Sequence, residues 1–282
     1  MDIRGGRRSS NIEDRRGMRF GRTGAGLSIG GIVILGVLTL LGINPLPFLG
    51  LATQEQQVEL QPGEQPYQES AQETQYRQVA EVVLGESEAT WGRLFGGQYT
   101  PTTMVLYKEM TPSACGTGQA AMGPFYCPQD QKVYLDLSFF DDLASTFGAS
   151  GDFAYAYVIA HEVGHHVQHL QGTADQVQQM RQQAGQAEAN ELSVRMELQA
   201  DCYAGVWAHD AAPRLQVTDD DISEAMLAAN AIGDDRLQRR SQGFVVPDSF
   251  THGTSEQRRR WLKVGMDSGD PRACDTFRAR QL

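Results

Sequence analysis

The sequence predicts an α+β domain, mostly helical with a small sheet, preceded by one transmembrane helix. Three observations predict it. Residues 24–52, "GAGLSIGGIVILGVLTLLGINPLPFLGLA", hold no charged residue and exceed the ~20 apolar residues that span a bilayer. Stretches beyond residue 76 carry apolar residues at helical spacing. Two short runs, "TTMVLYKEM" (102–110) and "KVYLDLSFF" (132–140), read as strands bounded by Pro, Gly and Asp. A hydrophobic content of 40% with 21% charged residues suits a folded body on such an anchor.

Charge orders the N-terminal half. Arg4, Arg7, Arg8, Arg15, Arg16, Arg19 and Arg22 face only Asp2, Glu13 and Asp14, so residues 1–22 carry +4 within a chain of net charge −11. The basic cluster stands alone at one end, and the acidic body excludes nucleic acid as a partner. After the apolar run the first charge is Glu55 and the first basic residue Arg77. The positive-inside bias therefore assigns 1–23 to a basic cytoplasmic N-terminus, 24–50 to the transmembrane helix, and later residues to the outside of the inner membrane. A cleaved signal peptide ending at "GLA" (50–52) is the alternative, although the arginine-rich lead and the apolar run are long for one. Residues 51–75 are rich in Gln, Glu and Pro and read as a tether. The domain runs from 76 to 282.

Within the domain, "YRQVAEVVLGESEATWGRLF" (76–95) reads as a helix on Val79, Val82, Val83, Trp91, Leu94 and Phe95. The two strands follow, joined by a loop that carries Cys115 and Cys127. Ser150, Gly151 and Asp152 offer caps for a helix that Gly172 ends after Leu170. Residues 174–186 read as helix or linker, 187–212 as a long helix stopped before Pro213, and 218–240 as one capped helix. Thr254 and Gln257 are spaced as a capping box for a last helix over 251–266. Of the three pairings four cysteines allow, Cys115 with Cys127 and Cys202 with Cys274 is the simplest, and an oxidising compartment permits both bonds.

The chemistry concentrates in "VIAHEVGHHVQHLQG" (158–172), which holds four of the six histidines. His161 and His165 are four apart, so a helix sets them one turn apart on one face, where both can ligate one metal ion. Glu162 lies about 100° round the helix, near enough to act on a water held there without ligating. Zinc acidifies such a water and polarises a carbonyl, and the carboxylate moves the proton to the leaving nitrogen. Two nitrogens do not complete a site. Gln168 and Gln171 stand where the H-E-x-x-H-x-x-G-x-x-H pattern needs glycine and histidine. His166 points away, and His169 lies too far along one straight helix to converge with the pair.

The third ligand is expected from "ELQAD", Glu197 to Asp201, whose two acids again share one helix face. One can take the metal while the other accepts a hydrogen bond from a ligand histidine. Glu197 is the first choice as ligand, with the roles exchanged as the alternative. His252, in a late loop, suits either stabilisation of an oxyanion or a surface capping role. Tyr155, Tyr157 and Tyr203 could serve the same oxyanion, and His209 reads as a helix-end residue. The strand "KVYLDLSFF" is read as a sheet edge against which an extended substrate would lie, with a plain core strand as the alternative.

"HEVGHHVQ", "ELQADCYAGVW" and "HGTSEQRRRW" together resemble the neutral zinc metallopeptidase family of bacteria, as do "RGGRRSSNIEDRRG" and "CGTGQAAMGPFYCPQDQKVYLDLSFF". The likeness spans nearly the whole chain and is weakest in the tether. It implies a zincin-like domain, one membrane span, Zn2+ as cofactor and a protein or peptide substrate. ELQAD also resembles the E-x-x-x-D helix of glutamate-type zinc peptidases, which implies Glu197 as ligand and Asp201 as the partner of His161. Two rival expectations stand beside a membrane-anchored zinc endopeptidase: a non-catalytic zinc-stapled scaffold, and a zinc amidase acting on cell-wall material.

Overall fold

The computed structural model describes residues 1–21, 59–62, 67–120 and 123–282. They form two compact units: Met1–Arg15 with Gln68–Leu282, and Arg16–Tyr67. In the larger, strand β1 (Ile12–Asp14) opens the sheet. In the smaller, β2 (Met18–Gly21) pairs antiparallel with β3 (Glu59–Pro62), in register from Met18↔Pro62 to Gly21↔Glu59. The transmembrane helix expected at 24–50 lies outside the described residues. No helix among the described residues is long and apolar enough to cross a membrane.

The larger unit is α+β, mostly helical with a small sheet. Helix α1 (Ala71–Phe95) begins inside the expected tether, because Ser70 and Glu73 form a reciprocal capping box. Strands β4 (Thr103–Tyr107), β7 (Phe125–Cys127) and β8 (Lys132–Asp136) join β1 in one sheet of order β1-β4-β8-β7. The pairs β1–β4 and β4–β8 are parallel, and β7 runs antiparallel to β8. A separate hairpin, β5 (Met110–Ser113) and β6 (Gly116–Gln119), precedes β7. Cys115 bonds Cys127 and Cys202 bonds Cys274, the expected pairing.

Two expectations about strands change. "KVYLDLSFF" is not an edge, since β8 has a strand on each side, and the edge next to it is the three-residue β7. The run also stops being a strand at Asp136, whose carboxylate accepts the Ser138 N–H and so starts helix α2 (Ser138–Ser145).

Helix α3 (Asp152–Leu170) is buried along most of its length, with Phe153, Ala156, Val163 and Val167 in the core, and Gly172 turns the chain beyond it at φ 74°. The undecided stretch after it is helical, α4 (Thr173–Gln183). Helix α5 (Gln186–Ala211) packs against α3 where Gly164 faces Ala200; a Cβ on Gly164 would lie 3.0 Å from the Ala200 carbonyl oxygen. That close approach brings the two motif helices together. The single helix expected over 218–240 is two, α6 (Asp219–Ala231) and α7 (Asp234–Gln242), because Asp234 turns away to hold the loop before α8 (Ser255–Ser268).

Met1–Arg15, within the N-terminal segment expected at 1–23, group with Gln68–Leu282. Residues 1–15 share one unit with helices α3 and α5. Beyond the β1 ladder, the Asp2 N–H donates to Leu215 O at 2.7 Å and the Ser9 N–H to Glu81 O at 2.9 Å. The Arg7 N–H donates to the fully buried Glu86 carboxylate at 2.8 Å, and Arg8 pairs with Glu81 at 2.9 Å. The chain lies this close because residue 85 is glycine: a Cβ there would meet Arg7 O at 2.5 Å. These arginines act in the fold, whereas the positive-inside reading counted them only as charge.

Candidate metal centre

Helices α3 and α5 bring His161, His165 and Glu197 together, with donor atoms all within 4.8 Å of one another. His161 Nε2 lies 3.2 Å from one Glu197 oxygen and His165 Nε2 lies 3.4 Å from the other. Both imidazoles present Nε2 because both outer nitrogens are engaged. His161 Nδ1 meets Asp201 Oδ1 at 2.8 Å, and His165 Nδ1 meets Gln168 Oε1 at 2.9 Å. Hydrogen bonds of that kind set the tautomer and orientation of a metal-ligating histidine. Two neutral nitrogens and one carboxylate with anchored outer atoms suit Zn2+, which takes such N and O donors.

Asp201 is wholly buried and fully engaged. It accepts from Tyr157 Oη at 2.6 Å, and from Arg258 Nε and Nη2, each at 2.9 Å. The two-pronged Arg258 contact compensates the buried charge and fixes the plane of the carboxylate. Burial opposes a proton on His161, yet Asp201 and Glu197 overcome that and lift it to about 10. Burial likewise opposes ionisation of Glu197, but the two imidazoles hold it well below the usual carboxylate range. A field that favours a proton here also favours a divalent cation, whose binding displaces that proton.

Glu162 sits beside this group, nearly buried, and makes no hydrogen bond to the described residues. Burial pushes its carboxyl up from the usual value. Among the described residues the ligand group stops at three. His252 does not join it. Its Nδ1 lies 3.1 Å from Asp234 Oδ1, and its half-exposed ring lines the same cleft. Asp234 is itself fixed by the N–H groups of Thr251, His252 and Gly253.

The other candidates lie elsewhere. His166 is buried between Thr100 O and Tyr126 Oη, and burial lowers its pKa, so it is a neutral structural residue. His169 and His209 lie outside the group, and His209 donates to Met266 O. Tyr155 stacks with Phe140, and Tyr203 bonds Gln171. Gln168 and Arg258 escaped the sequence reading as parts of the site, and Tyr157, named there for the oxyanion, instead donates to Asp201. Tyr157 precedes His161 by four and Gln168 follows His165 by three, spacings that share a helix face and were available as signals. Arg258 is 57 residues from Asp201 and carries no spacing signal.

The centre lies in a cleft of about 1210 Å³. Phe125 and Tyr126 of edge strand β7 line it, with Phe139, Phe147, Ile232 and Leu237 as further apolar wall.

The chain is 50% identical over 286 residues to the uncharacterized protein YpfJ of Escherichia coli strain K12, covering 98% of this chain and 99% of that one. It is 41% identical over 257 residues to the uncharacterized protein Rv2575 of Mycobacterium tuberculosis strain H37Rv, covering 86% of each. No solved structure matches the chain significantly. The profile of the family described as "Putative neutral zinc metallopeptidase" matches residues 1–277, so the chain belongs to that family, and zinc is the metal the family implies for the His161, His165 and Glu197 group.

Proposed function

We propose that this chain is a zinc-dependent endopeptidase with a zincin-like site and Glu162 as its general base. The observation that carries the reading is a ligand group of three with an unligated glutamate beside it, on the wall of an open cleft. A structural zinc is ordinarily closed by four protein ligands, whereas a catalytic one keeps three and an open position. His161, His165 and Glu197 would hold the zinc, which when bound would supply an acidified water and polarise the scissile carbonyl. Glu162 takes the proton of the attacking water and delivers it to the leaving nitrogen. His252, backed by Asp234, offers an N–H to the developing oxyanion. Edge strand β7 offers main-chain groups to an extended peptide, with the aromatic wall taking apolar side chains.

The full chain, purified in detergent, is expected to bind about one zinc per molecule and to cleave members of a mixed peptide library. A chelator stops cleavage and added zinc restores it. Mass spectrometry of peptides and of cell-wall fragments reads the result. Cleavage of wall fragments alone favours the amidase, and zinc without cleavage of either favours the staple.

We further infer that the protein attaches to the extracytoplasmic side of the inner membrane through residues 24–50, with both flanks of that segment on the same side. Two ladders support this. β1, before the segment, pairs with β4, after it. Gly21 pairs with Glu59, so the chain leaves and returns at adjacent positions. A single crossing, N-terminus in and domain out, would part both ladders. Two disulfides suit an oxidising compartment. Single cysteines placed at exposed Ser10 and Ser268 should react alike with a membrane-impermeant thiol reagent in spheroplasts. Opposite labelling of the two would restore the single crossing.

A further inference from the structure

Gln168 is wholly buried, with its Oε1 on His165 Nδ1. Its amide nitrogen donates twice, to Met196 O at 2.8 Å and to Gln199 Oε1 at 3.0 Å. Gln199 Nε2 donates in turn to Cys274 O at 3.0 Å. Cys274 is bonded to Cys202, which lies on α5 three residues beyond Gln199.

Each contact dictates the next. A backbone carbonyl can only accept, so Cys274 O requires Gln199 to turn its NH2 outward and its oxygen toward Gln168. Gln199 Oε1 and Met196 O can only accept, so Gln168 must give its NH2 to both and its oxygen to His165. His165 Nδ1 must then carry the proton, and the lone pair is left on Nε2, the atom facing Glu197.

We propose that Gln168 and Gln199 are positioning residues: a two-amide relay, anchored on the disulfide-closed turn at Cys274, that locks His165 as the Nδ1–H tautomer for the metal. The relay rests on the zinc reading of His161, His165 and Glu197, but not on peptide hydrolysis. It also explains why the two histidines are held by different chemistry. Behind His161, the negative charge of Asp201 is balanced by Arg258. Among the described residues no cation is a hydrogen-bond partner of His165, and a carboxylate behind it would add an uncompensated buried charge. A neutral amide fixes the ring without it, so the ion keeps the electrophilic character that one anionic ligand leaves it.

The test measures zinc alone. In the full chain, Gln168→Leu and Gln199→Leu are each expected to weaken zinc affinity about 10- to 100-fold in competition with a chromogenic chelator. The double variant should lose little more than Gln168→Leu, because Gln199 acts through Gln168. Melting of the zinc-free proteins checks that each variant folds. Unchanged affinity in Gln168→Leu, or losses that add in the double variant, would overturn the relay. Nuclear magnetic resonance of isotope-labelled histidine in the zinc-loaded parent chain gives a test that needs no variant. It should show His165 protonated at Nδ1 and metal-bound at Nε2, and the reverse pattern ends the proposal. Both measurements stand whether or not the protein cleaves peptides, so failure of the relay and failure of the peptidase reading are told apart.

Discussion

Glu162→Gln leaves zinc bound and lowers kcat/KM about 100- to 10,000-fold, the range a positioned general acid–base supplies. The substitution keeps the side chain's shape and removes only its capacity to take a proton. In the proposed site the three ligand atoms belong to His161, His165 and Glu197, so metal content is expected to stay at the parent level. Burial of the Glu162 carboxyl, which pushes its pKa up, makes it a better proton acceptor than an exposed glutamate. The uncharged amide also suits that buried position, so no loss of fold is expected. Metal analysis and steady-state kinetics on the same preparation check the two halves together. Undiminished hydrolysis would remove Glu162 from the mechanism. Loss of zinc would instead make it part of the ligand shell.

The ligand set was legible because helical geometry converts a four-residue spacing into shared position. His161 with His165, and Glu197 with Asp201, needed nothing more than the two helices meeting, and a glycine at 164 permits that approach. What supports the ligands was less legible. Gln168 is a neutral amide with no charge to draw attention, and its value lies in a chain of acceptors ending at a backbone carbonyl. Arg258 reaches Asp201 only through tertiary packing. Edge strand β7 has three residues, too few to show a period of two. The break at Ile232 and Gly233 was hidden because helical spacing continues across it; what interrupts the helix is Asp234 binding a distant loop. The contacts of the N-terminus were illegible for a related reason: Arg7 and Arg8 form a charge pattern in the sequence, while their partners Glu86 and Glu81 lie more than seventy residues away.

That last contrast sets the second large effect. A chain beginning at residue 68 should fail to fold stably, whereas one in which a short turn replaces residues 22–58 should fold and bind zinc. The second variant loses none of the described contacts of residues 1–15, and the Gly21↔Glu59 pair is a ready site for a hairpin turn. The first loses the β1 ladder and opens the edge of β4, where Met104, Val105 and Leu106 are wholly buried. It also loses the hydrogen bonds from Asp2 and Ser9 to Leu215 and Glu81, and the Arg7 N–H that helps satisfy Glu86. Ile3 and Ile12, partly buried against the core, are removed as well. At about 1 kcal/mol for each hydrogen bond, those of the ladder included, and about 1 kcal/mol for each half-buried apolar side chain, the loss exceeds roughly 5 kcal/mol. A domain has roughly 5–15 kcal/mol in all, so this removes much of its stability. Thermal melts of the two variants beside the full chain decide the matter. If the chain from residue 68 melts within a few degrees of the parent, the first fifteen residues are an appendage, and the ladder that argues for one-sided attachment loses its force. If it collapses while the shortened hairpin holds, those residues are part of the zinc domain, and both ends of the uncharged segment must be found wherever that domain is.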